Sequence, residues 1–318
     1  MTSYLVRRVA QALVVIVLVT MIVFAVLHFL PGSPARAMLG VKATPGAIAA
    51  FNRANGYNRA LPIQYVLYLD RLVHGNLGFS YHMDQSVGSL LALDLPKTAL
   101  LVGVSFVLAI VIAIPVGLVQ ALKRNKPVDH AFTAFAFIGY SMPTFWLAML
   151  LIVLFAVQYH LLPAQAGTAA SSVGAVLHDP KVLVLPVVTL TIVTVAQFSR
   201  FMRSSAIDNL LQDYIRTAKA KGVSQRQLVA RHLLRNSLLP IVTLIGLSLP
   251  AVVSGAIVVE AVFNYPGMGW LFWQAASAHD YPVLMGFTIV VAVATVAGNL
   301  LADIVYAVMD PRIRYSAA

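Results

Sequence analysis

Long apolar runs alternate with short basic segments along this 318-residue chain. Six runs lack any Lys, Arg, Asp or Glu: residues 9–30, 98–122, 131–157, 182–199 (extending toward Met202), 238–259 and 283–302. The fifth ends against Glu260, and the last continues past Asp303 to Met309. A bilayer-spanning helix needs ~20 apolar residues, whereas transmembrane strands would read as alternating segments of ~10. The pattern predicts an all-α polytopic membrane protein with six transmembrane helices. Pro115, Pro143, Pro186 and Pro250 fall inside the runs; such breakers are tolerated where neighbouring helices re-satisfy the freed backbone groups.

The runs divide the chain. Residues 1–30 hold an N-terminal end and the first helix, 31–95 a long extracytoplasmic segment, 96–309 a five-helix core, and 310–318 a tail. Ala35-Arg36-Ala37 has the look of a signal cleavage site, but the apolar run before it exceeds the 7–15 residues of a signal h-region, so the first helix is expected to be retained. Within 31–95, Pro62 suits a first helical position, with Ile63, Val66, Leu67 and Val73 as an apolar stripe. Gly75-Asn76-Leu77-Gly78 reads as a turn. The segment suits either contact with a partner or a cap on the membrane surface.

Residues 204–237 are the longest polar interruption of the core. Ile207, Leu210, Leu211, Tyr214, Ile215 and Ala218 recur at helical spacing and predict one apolar face. Arg216, Lys219 and Lys221 gather where cations complement a helix C-terminus, and Gly222 suits the residue just beyond it. Ser224 and Gln227 have capping-box spacing for a second helix. The expectation is helix, glycine turn, helix. Small Ala218, Ala220 and Gly222 suit close approach to a partner; an amphipathic helix lying on lipid is the other reading.

Composition agrees with the pattern. The chain is 60% hydrophobic and 10% charged, against about 25% charged in soluble domains, which excludes a soluble enzyme or a disordered chain. Zero cysteines exclude disulfides and thiolate chemistry. The net charge of +11 would suggest nucleic acid in a soluble protein. Here it sorts by loop instead. With the N-terminus inside, 15 of 22 basic residues are cytoplasmic, eight of them from Arg200 to Arg235. Basic residues mark cytoplasmic loops, so both termini are predicted inside and no nucleic-acid partner is expected.

Catalytic signatures are missing. There is no Gly-Lys dipeptide and hence no P-loop, no His-Glu-x-x-His and no Gly-x-Ser-x-Gly, and the eight histidines lack metal-ligand spacing. No cofactor or metal is expected on this chain. Ionisable residues within spans are functional candidates, and the runs suggest Glu260 and Asp303. Asn299, Asp303, Tyr306 and Asp310 share one helical face, for helix packing or a pathway. Gln197 and Ser141 are further polar pathway candidates.

Several ordered motifs resemble the oligopeptide/dipeptide-type permease subunits of bacterial ABC importers. The strongest is Asp213-Tyr214-Ile215-Arg216-Thr217-Ala218-Lys219-Ala220-Lys221-Gly222, followed by Arg231-His232 and Leu234-Arg235-Asn236-Ser237-Leu238-Leu239-Pro240. It is similar to the family's EAA loop, with Arg216-Thr217-Ala218 where the general motif has Glu-Ala-Ala. Leu30-Pro31-Gly32 with Pro34, Gln64-Tyr65, Gly75-Asn76-Leu77-Gly78-Phe79-Ser80, Leu95-Pro96-Lys97-Thr98 and Ser141-Met142-Pro143 match in order. So do Glu260-Ala261-Val262-Phe263, Pro266-Gly267-Met268-Gly269, Asp280-Tyr281-Pro282 and Asp310-Pro311-Arg312. Ser33 and Asn76 stand where the family commonly has Asp.

The resemblance implies a type I ABC importer permease fold in the bacterial inner membrane. It implies partners too: a second homologous permease, two cytoplasmic ATPases that hold ATP and Mg, and an extracytoplasmic binding protein. Tyr214, Arg216, Thr217, Ala218, Lys219, Ala220, Lys221 and Gly222 would form the ATPase-coupling loop. The same architecture also serves nickel chelates, glutathione or sugars. An ion-coupled carrier is the competing class; its mark would be charges at the membrane midplane.

Overall fold

The computed structural model describes residues 2–29, 34–40, 43–80 and 82–309. Helix α1 (Thr2–Phe29) leads through α2 (Pro34–Leu39) and α3 (Pro45–Ala54) to α4 (Leu61–Val73). A short antiparallel hairpin, β1 (Phe79–Ser80) and β2 (Gln85–Ser86), pairs Phe79 with Ser86 and Ser80 with Gln85. It opens directly into α5 (Val87–Leu122). Next come α6 (Pro127–Ser141), α7 (Thr144–Leu151) with its π-helical continuation Ile152–Gln158, and α8 (Val173–His178). Helix α9 (Lys181–Leu210) precedes α10 (Asp213–Ala220) and α11 (Gln225–Gln227), which winds through a π-helical turn into α12 (Leu234–Ser254). The chain closes with α13 (Ile257–Val262), α14 (Met268–Ser277) and α15 (Tyr281–Met309).

Four helical stretches among the described residues are long and apolar enough to cross a bilayer: Val87–Leu122, Lys181–Leu210, Gln225–Val262 and Tyr281–Leu300. A fifth is the broken pair Pro127–Ser141 and Thr144–Gln158, bent by 103°. Helix α1 adds the shorter apolar stretch Ala10–Val26. The bend sits at Met142-Pro143, both in extended conformation, because proline disfavours helix in the residue before it.

Helices α5 and α9 outrun their apolar runs for the same reason. Helix α5 starts at Val87, eleven residues before the run at 98, capped by Ser86 Oγ, which accepts from Ser89 N–H at 3.2 Å. Lys97 stands just before the run, but its ammonium meets Asp94 one turn back at 2.7 Å, both side chains nearly buried. Helix α9 continues past residue 199 to Leu210 because Arg203 is paired in its turn. Its guanidinium donates two bonds to the Asp129 carboxylate of α6, at 2.7 and 2.8 Å. A bidentate pair of this kind makes a charge tolerable next to the membrane.

The core is built on α5 packed along α9. Phe106 meets Phe198 edge-to-face at 5.6 Å. Gly117 lets the backbones close up: a Cβ there would lie 2.6 Å from Ser199 O and from the Met202 side chain. Small residues at such crossings matter in lipid, where helices associate through van der Waals packing. Helix α15 packs against both α12 and α1. At one end of α5, Val87, Leu90 and Leu91 pack with Met268, Leu271, Val283 and Phe287 of α14 and α15. At the other, Ala121 joins α10 and the start of the helix leading to α12. These are called the hairpin end and the loop end below.

The stripe expected on α4 points the other way. Ile63, Val66 and Val73 are exposed, while Gln64 and Tyr68 are buried. Gln64 donates to the Tyr57 and Arg59 carbonyls at 3.1 and 2.7 Å, and Tyr65 and Tyr68 pack on Phe24 of α1. Leu30-Pro31-Gly32, Ser33 and the closing Asp310-Pro311-Arg312 lie outside the described residues.

Candidate functional site

The loop end carries the expected coupling residues. Helix α9 stops at Leu210, and the chain turns through Leu211 and Gln212 before α10 starts. The apolar face running from Ile207 to Ala218 is therefore two faces, and Leu211 is 60% exposed. Asp213 opens α10 and Lys219 sits in its last turn, each favourable to the helix dipole. Thr217 Oγ donates to the Asp213 carbonyl at 2.9 Å.

The glycine turn forms as the spacing suggests. Gly222 has φ +76°, a left-handed conformation that glycine adopts without Cβ strain. Its N–H donates to the Lys219 carbonyl at 3.0 Å, and Val223 N–H reaches back to Ala218 at 3.2 Å. These are the paired bonds of a Schellman closure, completed by Val223 packing into the same apolar cluster as Ala218. The second helix begins after Ser224, but the Ser224 side chain makes no capping bond, so the expected box with Gln227 does not form.

Burial divides the loop into two faces. Ile215 and Ala218 point inward, packing with Ala121 of α5, Ala206 of α9, Leu228 and Leu233. Ala218 is thus a core residue of this chain, not part of a surface open to close approach. Tyr214, Arg216, Thr217, Lys219, Ala220, Lys221 and Gly222 are exposed. Tyr214 Oη donates to Asn209 Oδ1 at 2.6 Å, and Arg216 reaches Asp213 at 3.5 Å. A bond from Ser205 Oγ to the Ser237 carbonyl, 3.0 Å, ties α9 to α12 at the base of the loop. The loop is thereby tied to α5, α9 and α12.

Glu260 lies at the hairpin end in a different setting. Gly255, at φ +79°, interrupts the helix after Ser254, and α13 restarts at Ile257. This places the fully buried Glu260 carboxylate among donors. Thr98 Oγ1 and Ala256 N–H donate to Oε1 at 2.9 and 3.3 Å; Gly269 and Trp270 N–H donate to Oε2 at 2.7 and 3.1 Å. Thr98 Oγ1 accepts in turn from Met268 N–H at 2.7 Å. The first three amides of α14 are all satisfied this way, and the positive end of its dipole faces the carboxylate. Tyr265 Oη donates to the Lys97 carbonyl at 2.8 Å, and burial, reinforced by Glu260, pushes its phenol pKa up. Motifs far apart in the chain, around Thr98, Glu260 and Gly269, meet on one anion.

The remaining candidates do not join either site. Asn299 is exposed on α15 beside α1. Asp303 and Tyr306 lie on the same helix, their side chains outside the described residues. Gln197 lines an open cavity of about 370 Å³ with Tyr140 and Arg200, whose guanidinium lies 5.3 Å from the Tyr140 ring centre. Sequence reasoning passed over Asp94, Lys97, Asp129 and Arg203 because each ends or flanks an apolar run. The signal available was the charge itself within a turn of a span.

The sequence that builds this bundle matches a family profile over most of its length. Residues 113–315 match the binding-protein-dependent transport system inner membrane component, and 1–102 match the N-terminal region of the same membrane component. The chain belongs to this family. Full-length relatives agree. The oligopeptide transport system permease protein AppB of Bacillus subtilis is 36% identical over 316 residues, covering 99% of this chain and all of the relative. OppB of Haemophilus influenzae, an oligopeptide transport system permease protein, is 35% identical over 317 residues, with 99% and 100% coverage. DppB of Escherichia coli K12, a dipeptide transport system permease protein, is 32% identical over 341 residues, with 99% of each covered. As a transport-system membrane component, the chain is a multi-pass permease and not an enzyme. Residues 214–222 and Glu260 both fall within the main family profile.

Proposed function

We propose that this permease forms half of the translocation path of an ATP-driven importer of di- and oligopeptides. It works beside a second homologous permease, two cytoplasmic ATPases and an extracytoplasmic binding protein. In this reading α1, α5, α6 with α7, α9, α12 with α13, and α15 are six spans. Both termini and the loop end are cytoplasmic, and the segment 31–95 lies outside. Relatives matched over nearly their full length, named for oligopeptide and dipeptide transport, support the substrate class.

The observation that carries the mechanism is the two-faced loop. An exposed basic face can dock on an ATPase, while Ile215 and Ala218 clamp the inner face to α5 and α9. When ATP binding draws the ATPases together, the docked face moves and the cluster passes that motion to the spans. The ATPases can shift the permease between outward and inward states only by binding the two states differently. The loop supplies that differential contact. No bond in the substrate is made or broken.

Reconstitution tests the proposal. Vesicles containing the assembled importer should accumulate a labelled peptide only with internal ATP. Ala220→Trp, which alters the exposed face alone, should abolish uptake and sever ATP hydrolysis from binding-protein stimulation while assembly into the membrane is normal. Uptake by the permeases without an ATPase, or full uptake by Ala220→Trp, overturns the reading.

A further inference from the structure

Helix α9 carries two arginines one turn apart, and only one of them is neutralised. Arg203 holds the Asp129 carboxylate with both arms of its fork. Arg200 meets no carboxylate among the described residues; its partner is the face of the Tyr140 ring, with 5.3 Å between Cζ and the ring centre. That contact locates the charge. Helix α6 starts at the loop end, and Tyr140 stands thirteen residues beyond Pro127, about 20 Å along its axis. Arg200 is ten residues short of Leu210, about 15 Å along α9 from the same end. Helical side chains lean toward the N-terminus of their helix, which on α9 is the direction away from the loop end. The guanidinium therefore reaches deeper along the bundle, the reverse of an arginine that snorkels to the nearer headgroups.

The neighbours of Arg200 are polar too. Gln197, Arg200, Phe201 and Ser204 recur at i, i+3, i+4 and i+7, so they form one stripe, and all four are exposed. The opposite face of α9, with Phe198, Met202 and Ser205, is buried in the bundle. With Tyr140 the stripe lines an open cavity of about 370 Å³. Clefts for small ligands run from about 300 to 1,000 Å³. An ionisable side chain within a span faces the bundle interior, a water-filled passage or another chain, because its charge is costly in hydrocarbon. Arg200 turns away from the interior of its own bundle, which leaves the last two.

We infer that this cavity is a station on the translocation path for the C-terminal carboxylate of a passing peptide, with Arg200 as the residue that reads it. The inference deepens the reading of the chain as a peptide permease and rests on it. A guanidinium fork matches a carboxylate with two parallel bonds. The cavity offers one cation, which suits a singly charged end group. Gln197 brings both a donor and an acceptor, as a peptide group requires, and Ser204 a hydroxyl. Tyr140 and Phe201 supply an aromatic wall, and the Tyr140 ring holds the guanidinium without neutralising it. A carboxylate held here keeps the peptide in the path after the binding protein lets it go, so fewer ATP turnovers are futile.

The test uses the complete importer in vesicles with internal ATP and its binding protein, and two probes, trialanine and trialanine amide. Each is supplied at the concentration that half-saturates the binding protein, so that delivery is matched. The readout is peptide accumulated per ATP hydrolysed, expressed as the ratio of acid to amide. Arg200→Gln should lower that ratio about tenfold, as expected for loss of a charge-assisted bond, and Arg200→Lys should restore part of it. Gln197→Glu sets a carboxylate one turn from Arg200, where it occupies the cation, and should lower the ratio as well. An unchanged ratio in Arg200→Gln, with both peptides affected equally, assigns Arg200 to a contact with the second permease or with lipid and overturns the proposal. Should Arg200→Gln fail to assemble, an unchanged ratio in Gln197→Glu overturns it. No ATP-dependent uptake of either peptide by the parent importer overturns the peptide reading itself, and the station with it.

Discussion

The loop end and the hairpin end are each organised around one short helix that joins long ones, and they are held by opposite forces. At the loop end, α10 is fixed by apolar contacts of Ile215 and Ala218, while its charges face outward and pair weakly. At the hairpin end, α14 is fixed by a fully buried carboxylate and the donors aimed at it. Apolar packing is non-directional and tolerates small sliding; a buried carboxylate with four donors has one good geometry. The contrast fits the proposed coupling role of the loop end, with the other end keeping its helices in register.

Three substitutions sharpen the comparison, from the largest effect down. Glu260→Ala should be the most damaging, because it strands four buried donors, and each such group costs about 1–3 kcal/mol. The expected outcome is loss of folded protein in detergent, measured by size-exclusion yield, with Glu260→Gln retaining part of it. Equal yields for Glu260→Ala and the parent would show that the hairpin end is not held by this anion. Ala218→Leu should cost less, about 1–3 kcal/mol, through overpacking against Leu228 and Leu233. A lowered melting temperature checks it, and it should contrast with Ala220→Trp on the exposed face, which leaves the melting temperature alone. Arg216→Ala should be smallest: the pair with Asp213 is exposed on both sides, so the melting temperature should not move even if docking weakens. A large destabilisation there would mean that α10 is held by its surface charges after all.

Much of this was legible in the residues. The long helices follow the uncharged runs, and the Gly222 turn follows from a glycine placed after clustered cations. The ends of the helices were not legible where charges intervene. Lys97 reads as a boundary until Asp94 is seen beside it, and Arg203 is matched by Asp129, 74 residues earlier. The facing of short helices was equally hidden. Periodicity counts Ile63, Val66 and Val73 as interior, yet on α4 the aromatic and amide groups Tyr65, Tyr68 and Gln64 turn inward toward α1 and the preceding loop. Ala218 is small enough to suit either face, and only its neighbours Ala121 and Ala206 place it inside. The Glu260 site needed Thr98 and the amides of α14, which no local pattern links. Resemblance in motif order located these residues without saying that they meet.

The bend at Pro143 has a consequence for water. Each arm of that bent pair is about 15 residues, roughly 22 Å of helix, too short by itself to cross a hydrocarbon layer of about 30 Å. Proline offers no N–H to the Gly139 carbonyl, so peptide groups are uncovered at the corner, at a depth where lipid can satisfy none of them. The corner must therefore face protein or a hydrated space. Gly139 packs directly on Ile192 and Ala196 of α9, so on that side protein excludes both lipid and water from the corner. A single residue that ends a helix thereby fixes which flank of the bundle is turned away from the fatty acids.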